Sequence, residues 1–505
     1  EAETIRFELR GIRLEGVSVY PPGTLEPSWQ DLVGREVSLA EILQFAQTLT
    51  ARYRADDYIL AQVVVPAQEI TDGVVRLLAV EGFVERVLIE GEVRGPQRIV
   101  EAFARRIETA RPLTGAALER ALLLIGDLPG VTVQSVLEPS PDTFGAADLT
   151  VVLEHDRVEG AAGADNRGSR FIGPVLASTG IQLNSVLGGY EQLDIGLVTS
   201  PVKPEELLFG QAQLTLPMGF GGSGGALEVF GSALSSNPSF PNRIFPFRVE
   251  NDGYEASVGY AFPVLRSRRQ NLVGRATAAW KRYESDITDL PGDSRNPTVD
   301  DLRVVGLRAT YDLLDTLGGL NLVDVQLNRG IKALGASDGD RVSRLTGADG
   351  SFTYVRGLAS RLQLLGGGFS LYGLLIGQYA FDPLLPSERF AVGGASVGRG
   401  FAPANYTGDS GVGGTLELRY GQEPQRPWLD RWELYTFTDA GWTKDRKASF
   451  DDENELASVG FGLRLDTGRG ILVNPEIPRQ VAGRPTDRFD DDRETRFFLG
   501  VLARF

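Results

Sequence analysis

From Arg157 to Phe505, apolar and polar or small residues alternate with a period of two, and the three- and four-residue spacing of an amphipathic helix is missing. About sixteen segments read as strands, among them Ala256–Pro263, Leu272–Arg282, Arg303–Asp312, Leu320–Gln326, Leu371–Tyr379, Thr415–Tyr420, Glu433–Trp442 and Leu456–Leu465. Turn clusters of irregular length separate them, some acidic, some rich in Gly, Pro and Asn. Strands of a soluble sandwich usually run about 5–6 residues. A membrane-crossing strand needs about 9–11 and places apolar side chains at alternate positions. The pattern predicts a transmembrane β-barrel over residues 157–505. In the final segment, Phe497, Leu499, Val501, Ala503 and Phe505 share one face, while Phe498, Gly500, Leu502 and Arg504 share the other.

Residues 5–155 have a different texture. Ile5–Tyr20 reads as a strand. Ser38 and Glu41 have the spacing of a capping box, in which each side chain satisfies a free backbone N–H. The helix that follows carries Ile42, Phe45, Ala46, Leu49 and Tyr53 on one stripe. Ile59–Val65 and Val74–Val80 read as strands joined through a turn at Asp72-Gly73. The order then repeats: a strand over Phe83–Glu90, helices over Gln97–Thr109 and Gly115–Ile125, and strands over Val131–Leu137 and Asp148–Glu154. Two small α+β units of the order β-α-α-β-β are predicted in tandem, residues 1–81 and 82–156, each of a size at which one core is marginal alone.

The candidate chemistry lies inside the barrel region. Residues 383–414 form a long stretch rich in Gly, Pro, Asn and Ser, and a loop of that length is usually functional or disordered. Within it, Gly398-Arg399-Gly400-Phe401 flanks one cation with two residues that let the backbone bend sharply. Downstream, Phe437-Thr438-Asp439-Ala440-Gly441 on a strand-like run supplies an acid for that base.

Composition narrows the function. With no cysteine there are no disulfides, thiolate metal sites or cysteine nucleophiles. A single histidine, His155, argues against a His-ligated metal site or a Ser-His triad; a linker position between domains is expected for it. No catalytic constellation, metal site or cofactor site is expected. The formal net charge of -16 disfavours nucleic acid, which is gripped by clustered Lys and Arg. No window of about 18 consecutive apolar residues exists to make a transmembrane helix. A chain starting at Glu1 without a signal peptide is read as mature or as beginning after its signal. The acidic runs Asp451-Asp452-Glu453 and Asp490-Asp491-Asp492 are expected in solvated loops, and Arg266-Ser267-Arg268-Arg269 in a periplasmic turn. Trp280, Trp428, Trp432 and Trp442 are candidates for interfacial girdles.

These motifs together resemble a family. The tandem units look like POTRA domains: Pro66-Ala67-Gln68, Asp72-Gly73 and Val80-Glu81-Gly82 resemble the end of the first POTRA of two-partner secretion transporters. Leu118-Glu119-Arg120-Ala121-Leu122 with Asp127-Leu128-Pro129-Gly130-Val131 resembles the second, and Asp165-Asn166-Arg167-Gly168-Ser169 with Gly173 the first barrel hairpin. Gly398-Arg399-Gly400-Phe401 resembles the family's loop-six motif, commonly V-R-G-F, and Phe437-Thr438-Asp439 and Leu456–Arg464 the strands that hold that loop. The resemblance, covering about residues 5 to 505, is to the TpsB type of outer-membrane transporter, the haemolysin activator and filamentous haemagglutinin transporter family of the POTRA–barrel superfamily.

That resemblance implies a sixteen-stranded antiparallel barrel in the bacterial outer membrane, two POTRA domains in the periplasm, and transport of an unfolded exoprotein to the cell surface. The partner is then a TpsA-type exoprotein with an N-terminal secretion domain; outer-membrane lipid and lipopolysaccharide surround a monomeric barrel. Loop six folds inward so that Arg399 meets Asp439, with Phe437 and Gly441 on the same wall. The candidate client-binding edge positions are Ile59, Gln62 and Val64 in the first POTRA and Val131, Val133 and Ser135 in the second, where an extended segment can add as a strand. Phe505 stands where outer-membrane proteins carry a sorting signal. An assembly factor of the same superfamily and a passive porin are the alternative functions. Family members often carry an N-terminal plug helix, and this sequence begins at its first POTRA strand.

Overall fold

The computed structural model describes residues 2–92, 94–218, 220–238, 248–288, 297–339, 342–344, 347–424, 426–446, 453–486 and 493–505. Asp451, Asp452 and Asp490–Asp492, expected in solvated loops, lie outside the described residues. The chain divides into two compact units, Glu1–Asp156 with Gly219–Ser223, and Arg157–Met218 with Gly224–Phe505.

In the first unit, the N-terminal module centres on the strand Val74–Val80, flanked by Gly11–Glu15 in parallel and Gln62–Val64 in antiparallel pairing. Helix α1 (Leu39–Ala55) begins as its sequence dictates: the Ser38 hydroxyl accepts the Glu41 N–H at 3.2 Å, and the Ser38 N–H donates to the Glu41 carboxylate at 2.7 Å. Its buried stripe, Ile42, Phe45, Ala46, Leu49 and Tyr53, packs with Leu9, Val37, Val75 and Leu77 into one core.

Three local expectations need correction. Ile5–Tyr20 is not one strand but two, Arg6–Glu8 and Gly11–Glu15. The break falls where the Leu9 N–H bonds Arg35 O and the Arg10 N–H bonds Gly73 O, so the chain hands its backbone from one small sheet to another. The helix expected before α1 shrinks to two 3-10 turns, Glu26–Ser28 and Gln30–Leu32, interrupted at Trp29, whose φ of -122° and ψ of 3° are not helical, and ended at the extended Val33. Ile59 lies in a turn closed by the Ala61 N–H on Tyr58 O, and its strand is only Gln62–Val64.

The second module repeats the plan with both helices present, α2 (Gln97–Thr109) and α3 (Gly115–Gly126). Its central strand, Ala146–His155, is flanked by Phe83–Gly91 in parallel and Val131–Pro139 in antiparallel pairing. His155 closes that central strand opposite Val131 and is not a free linker residue.

The second unit is a closed barrel of sixteen antiparallel strands in sequence order, in which the last, Phe498–Arg504, pairs with the first, Val158–Asp165. The strands outrun the predicted segments. Ala256–Pro263 lies within Arg248–Arg266, and Leu272–Arg282 within Gln270–Thr288, both 19 residues long. Backbone ladders need no apolar side chains, so polar ends such as Glu284–Asp286 carry the pairing past the apolar band. The turn between these two strands holds Ser267–Arg269, as the arginine run suggested.

Burial alternates along Arg431–Lys444: Glu433, Tyr435, Phe437, Asp439 and Thr443 are buried, while Leu434, Thr436, Thr438 and Ala440 are exposed. Trp432 and Trp442 share the exposed phase near its two ends. Ten residues at about 3.3 Å each, tilted by about 40°, span about 25 Å, the height of a barrel's apolar band. Phe497, Leu499, Val501 and Phe505 are exposed on the last strand, and Phe498 is buried. Among the described residues no helix is long and apolar enough to cross a membrane, which says nothing of strands.

Candidate functional site

The segment between the strands Phe369–Ala380 and Ser410–Gln422 carries the Arg399 motif. It is shorter and more ordered than residues 383–414 suggested. Residues 410–414 belong to a barrel strand, and Phe390–Val392 pairs with Tyr406–Gly408 as a hairpin. This hairpin lies against the wall strand Arg431–Lys444. A Cβ added to Gly441 would come within 2.8 Å of Val392 Cγ1, so the bare wall at that position admits the hairpin. Phe401 is buried with Phe390, Val392 and Leu456.

Below the hairpin, four neighbouring strands present polar side chains at one level: Thr415 opposite Asp439, Asp439 opposite Ser458, and Ser458 opposite Gln480. This row binds the backbone of the motif. Asp439 Oδ2 accepts the N–H groups of Gly398 at 3.1 Å and Arg399 at 2.8 Å. Ser458 Oγ accepts the Gly400 N–H at 3.2 Å and donates to Asp439 Oδ2 at 2.9 Å. Gln480 donates to Gly400 O at 2.7 Å, and Thr415 donates to Asp439 Oδ1 at 2.9 Å. The row acts on the loop as an added strand would, with side chains in place of a ladder.

The guanidinium reaches further along the wall. It stacks 4.0 Å from the Phe437 ring centroid, pairs with Glu417 at 2.7 Å and Glu476 at 3.4 Å, and donates to Thr415 Oγ1 at 2.8 Å. Its Nε stands 3.6 Å from Asp439 Oδ1, too far for a hydrogen bond. Arg399 and Asp439 do meet, as a buried ion pair at 3.6 Å and through the Arg399 N–H, but the pair is not alone. Asp439 holds chiefly the backbone amides, and the cation is held mainly by Glu417 and Glu476. Arg399 is 4 % exposed, Glu417 and Glu476 2 % and Asp439 1 %, so one buried cation faces three buried acids. Arg464 and Arg419 also pair with Glu417, at 3.2 and 2.6 Å, and spread the positive charge.

The structure thus gathers Gly398, Arg399, Gly400, Phe401, Phe437, Asp439 and Gly441 at one place. Sequence reasoning missed Glu417, Glu476, Thr415 and Gln480, and had Ser458 only as one residue of the loop-holding segment Leu456–Arg464. A period-two signal was there to find: Thr415, Glu417 and Arg419 lie in one phase, as do Glu476 and Gln480. Gly398 has φ of +78°, and a Cβ there would come within 2.6 Å of Leu456 Cδ1. A β-branched valine is strained in that region, so the glycine in place of the common valine is a structural requirement of this loop path.

Of the edge positions, Val131–Pro139 is an outer strand nine residues long. The bonds Asp156 N–H to Gly130 O and Ser140 N–H to Ala146 O set the phase of its ladder. Even-numbered residues bond inward, so Val133, Ser135 and Leu137 turn their N–H groups outward. Pro139 ends that row of donors. Gln62–Val64 differs: its outward donor, the Val63 N–H, is taken by Thr50 Oγ1 at 2.9 Å, and Gln62 and Val64 face the ladder. Phe505 exchanges backbone hydrogen bonds with Gly160, 3.0 Å from its N–H and 2.8 Å to its O.

A sixteen-stranded barrel with an inward loop fixed to its wall, in a chain that also carries POTRA-type modules, defines the class of POTRA–barrel proteins of the outer membrane. The family model described as haemolysin secretion/activation protein ShlB/FhaC/HecB matches residues 146–465, and the ShlB-type POTRA domain model matches residues 7–82. The chain belongs to that family. It is 26 % identical over 501 residues to the heme/hemopexin transporter protein HuxB of Haemophilus influenzae (strain 86-028NP), covering 94 % of this chain and 83 % of that protein. It is 24 % identical to the outer membrane transporter CdiB of Dickeya dadantii (strain 3937), covering 90 % and 79 %. The solved structure of CdiB from Escherichia coli superimposes with a TM-score of 0.79 at 18 % identity, over 100 % of this chain and 91 % of that one. BamA from Haemophilus ducreyi lacking POTRA domains 1–3 gives 0.56 at 14 % identity, over 99 % and 100 %; both likenesses concern the fold. Family members are transporters. This chain is an outer-membrane transporter of the TpsB type that secretes an exoprotein partner, with its POTRA domains in the periplasm.

Proposed function

We propose that the unfolded exoprotein docks as an added strand on Val131–Pro139 of the second POTRA domain, then passes through a lumen whose working shape is set by loop six on the Asp439 row. The observation that carries the docking is the row of outward donors at Val133, Ser135 and Leu137 on a solvent-exposed edge. Such an edge offers main-chain hydrogen bonds to any extended segment and side-chain specificity at alternate positions. The first POTRA domain is the poorer acceptor, because Thr50 occupies its outward donor. The domain limits that go with this reading are 1–81 and 82–156 for the two POTRA domains and 157–505 for the barrel. The protein acts as a monomer in a lipopolysaccharide-bearing outer membrane and catalyses no reaction; Arg399 and its acids hold a conformation.

The test uses two changes at one residue. Val133→Pro removes an outward donor while leaving the inward ladder of its neighbours, a position where a sheet edge tolerates proline. Val133→Ala keeps the donor. With a co-expressed exoprotein bearing an N-terminal secretion domain, the proline variant is expected to lose secretion and the alanine variant to retain it, both with heat-modifiable barrels. Equal secretion by the two variants would rule out docking on this edge.

A further inference from the structure

The barrel closes where its last strand meets its first, and this seam is its shortest ladder: Gly500 to Arg504 pair with Asp165 to Ala161 in five register pairs. The strands Arg248–Arg266 and Gln270–Thr288, by contrast, pair along nearly their whole length. A short ladder is the weakest point of a closed sheet, because each missing pair leaves backbone groups to be satisfied otherwise. At the Phe505 end, the terminal residue's own N–H and C=O bond Gly160. At the other end the first strand has stopped at Asp165, and side chains take over.

Asn166 continues the ladder. Its Nδ2 donates to Phe497 O at 3.0 Å, and its Oδ1 accepts the Leu499 N–H at 2.7 Å. One side-chain amide thus supplies a donor and an acceptor to the last strand just beyond the point where the first strand's backbone leaves the ladder. Arg167 follows, oriented by the Asp165 carboxylate on its N–H at 2.8 Å. Its guanidinium crosses the seam, stacks 4.6 Å from the Phe498 ring centroid on the last strand, and donates to Glu476 Oε1 at 2.8 Å on the strand Ile471–Ala482. Glu476 is buried, and its other oxygen already accepts from Tyr435 at 2.7 Å and stands 3.4 Å from Arg399 Nη1. One carboxylate is therefore shared between the cation of loop six and the cation that straps the seam.

We propose that Asn166 and Arg167 form a clasp that closes the barrel seam, and that Glu476 couples this clasp to the seating of loop six. When Arg399 is in place, Glu476 is held between two cations on a fixed rotamer, and Arg167 has a stationary target. When Arg399 leaves, Glu476 loses one of the two cations and the strap loses its alignment. Loop movement is thereby felt as a loosening between the first and last strands, although loop six makes no strand pair there. The role of both residues is positional.

The chain's lack of cysteine makes the test clean. Ala164 and Val501 are register partners across the seam, so Ala164→Cys with Val501→Cys installs a disulfide that replaces the clasp. The readout is the temperature at which the outer-membrane protein, extracted in detergent, loses its compact gel band, with and without reductant. Asn166→Ala and Arg167→Ala are each expected to lower that temperature under reducing conditions, and the oxidised seam disulfide to restore it. Arg399→Ala is expected to lower it too, and Arg167→Ala with Arg399→Ala to lower it by less than the sum of the two. Failure of the disulfide to restore the single variants would overturn the clasp. Strictly additive shifts of Arg167 and Arg399 would overturn the coupling through Glu476. Asn166→Asp, which folds with the same shape but lacks the Nδ2 donor, guards against loss of assembly in the alanine variants: a barrel as stable as the parent would also overturn the clasp.

Discussion

Arg399 is a buried cation with more than one acid to satisfy it, and that arrangement decides what each substitution does. Removing the cation leaves Glu417, Glu476 and Asp439 buried together; breaking a buried ion pair from one side typically costs about 3–5 kcal/mol, less where lumen water reaches it. Arg399→Ala is therefore expected to destabilise the loop strongly, and Glu417→Gln as well, because Arg399, Arg419 and Arg464 all pair with that carboxylate. Asp439→Asn keeps one acceptor oxygen for the Gly398 and Arg399 amides, whereas Asp439→Ala removes both. A double-mutant cycle of Arg399→Ala with Glu417→Ala, read by thermal loss of the compact band, should show strong coupling. The same cycle with Asp439→Asn should show weak coupling, since that contact runs chiefly through backbone. The reverse ranking would contradict the division of labour between the two acids. The motif residues were legible in the sequence because a glycine-flanked arginine in a long loop, and an aromatic-x-acid on a strand, are unusual locally. Glu417 and Glu476 were not, because an inward acid on a barrel strand looks like any polar residue of the alternating phase until the register places it beside the loop.

The small modules show where local signals were sufficient and where they failed. The capping box at Ser38 and the stripe of α1 were readable because helix starts and helical faces are written within a few residues. The split of Ile5–Tyr20 was not, since it depends on Arg35 and Gly73, distant partners that claim successive N–H groups. The Glu81 of the Val80-Glu81-Gly82 motif has a similar long-range meaning. Its carboxylate accepts from the Ser18 hydroxyl, from the N–H groups of Ser18 at 2.8 Å and Val19 at 3.2 Å, and from the Tyr53 hydroxyl at 2.9 Å, fastening the segment after Gly11–Glu15 to α1. Burial alone would raise its pKa, but these hydrogen bonds, led by Ser18, outweigh burial and hold it below the usual glutamate value. A carboxyl depressed in the folded state contributes stability that is fully present above the unfolded pKa of about 4.3 and is lost as pH falls through the folded value. Amide hydrogen exchange along α1 in the intact protein should accordingly accelerate as the pH is lowered through that window, beyond the intrinsic pH dependence of exchange. Glu81→Gln should flatten this extra dependence. An unchanged pH profile in Glu81→Gln would show that the carboxylate does not hold the module together.

Taken as one molecule, the protein is a closed sheet that solves its edge problem by joining its ends, and a loop that has been given a berth on the inner wall. The barrel class was legible because few folds besides a membrane barrel sustain alternation over about 9–11 residues in strand after strand. Its strand lengths were not, because hydrogen-bonded ladders run on through charged ends that carry no apolar signal, as at Glu284–Asp286. The central claim is that loop six rests on the wall row in the working transporter. Val392 and Gly441 test it most directly: a Cβ at Gly441 would lie 3.0 Å from Val392 Cβ, and the atoms that crowd it are those of Val392 itself. Val392→Cys with Gly441→Cys exchanges that crowding for a pair close to disulfide reach, about 3.5–4.5 Å between Cβ atoms. The measurement is the fraction of heat-modifiable barrels in intact cells that become crosslinked on mild oxidation. Near-complete crosslinking is the result expected of a seated loop; assembled barrels whose two cysteines stay reduced and open to a thiol reagent would contradict it.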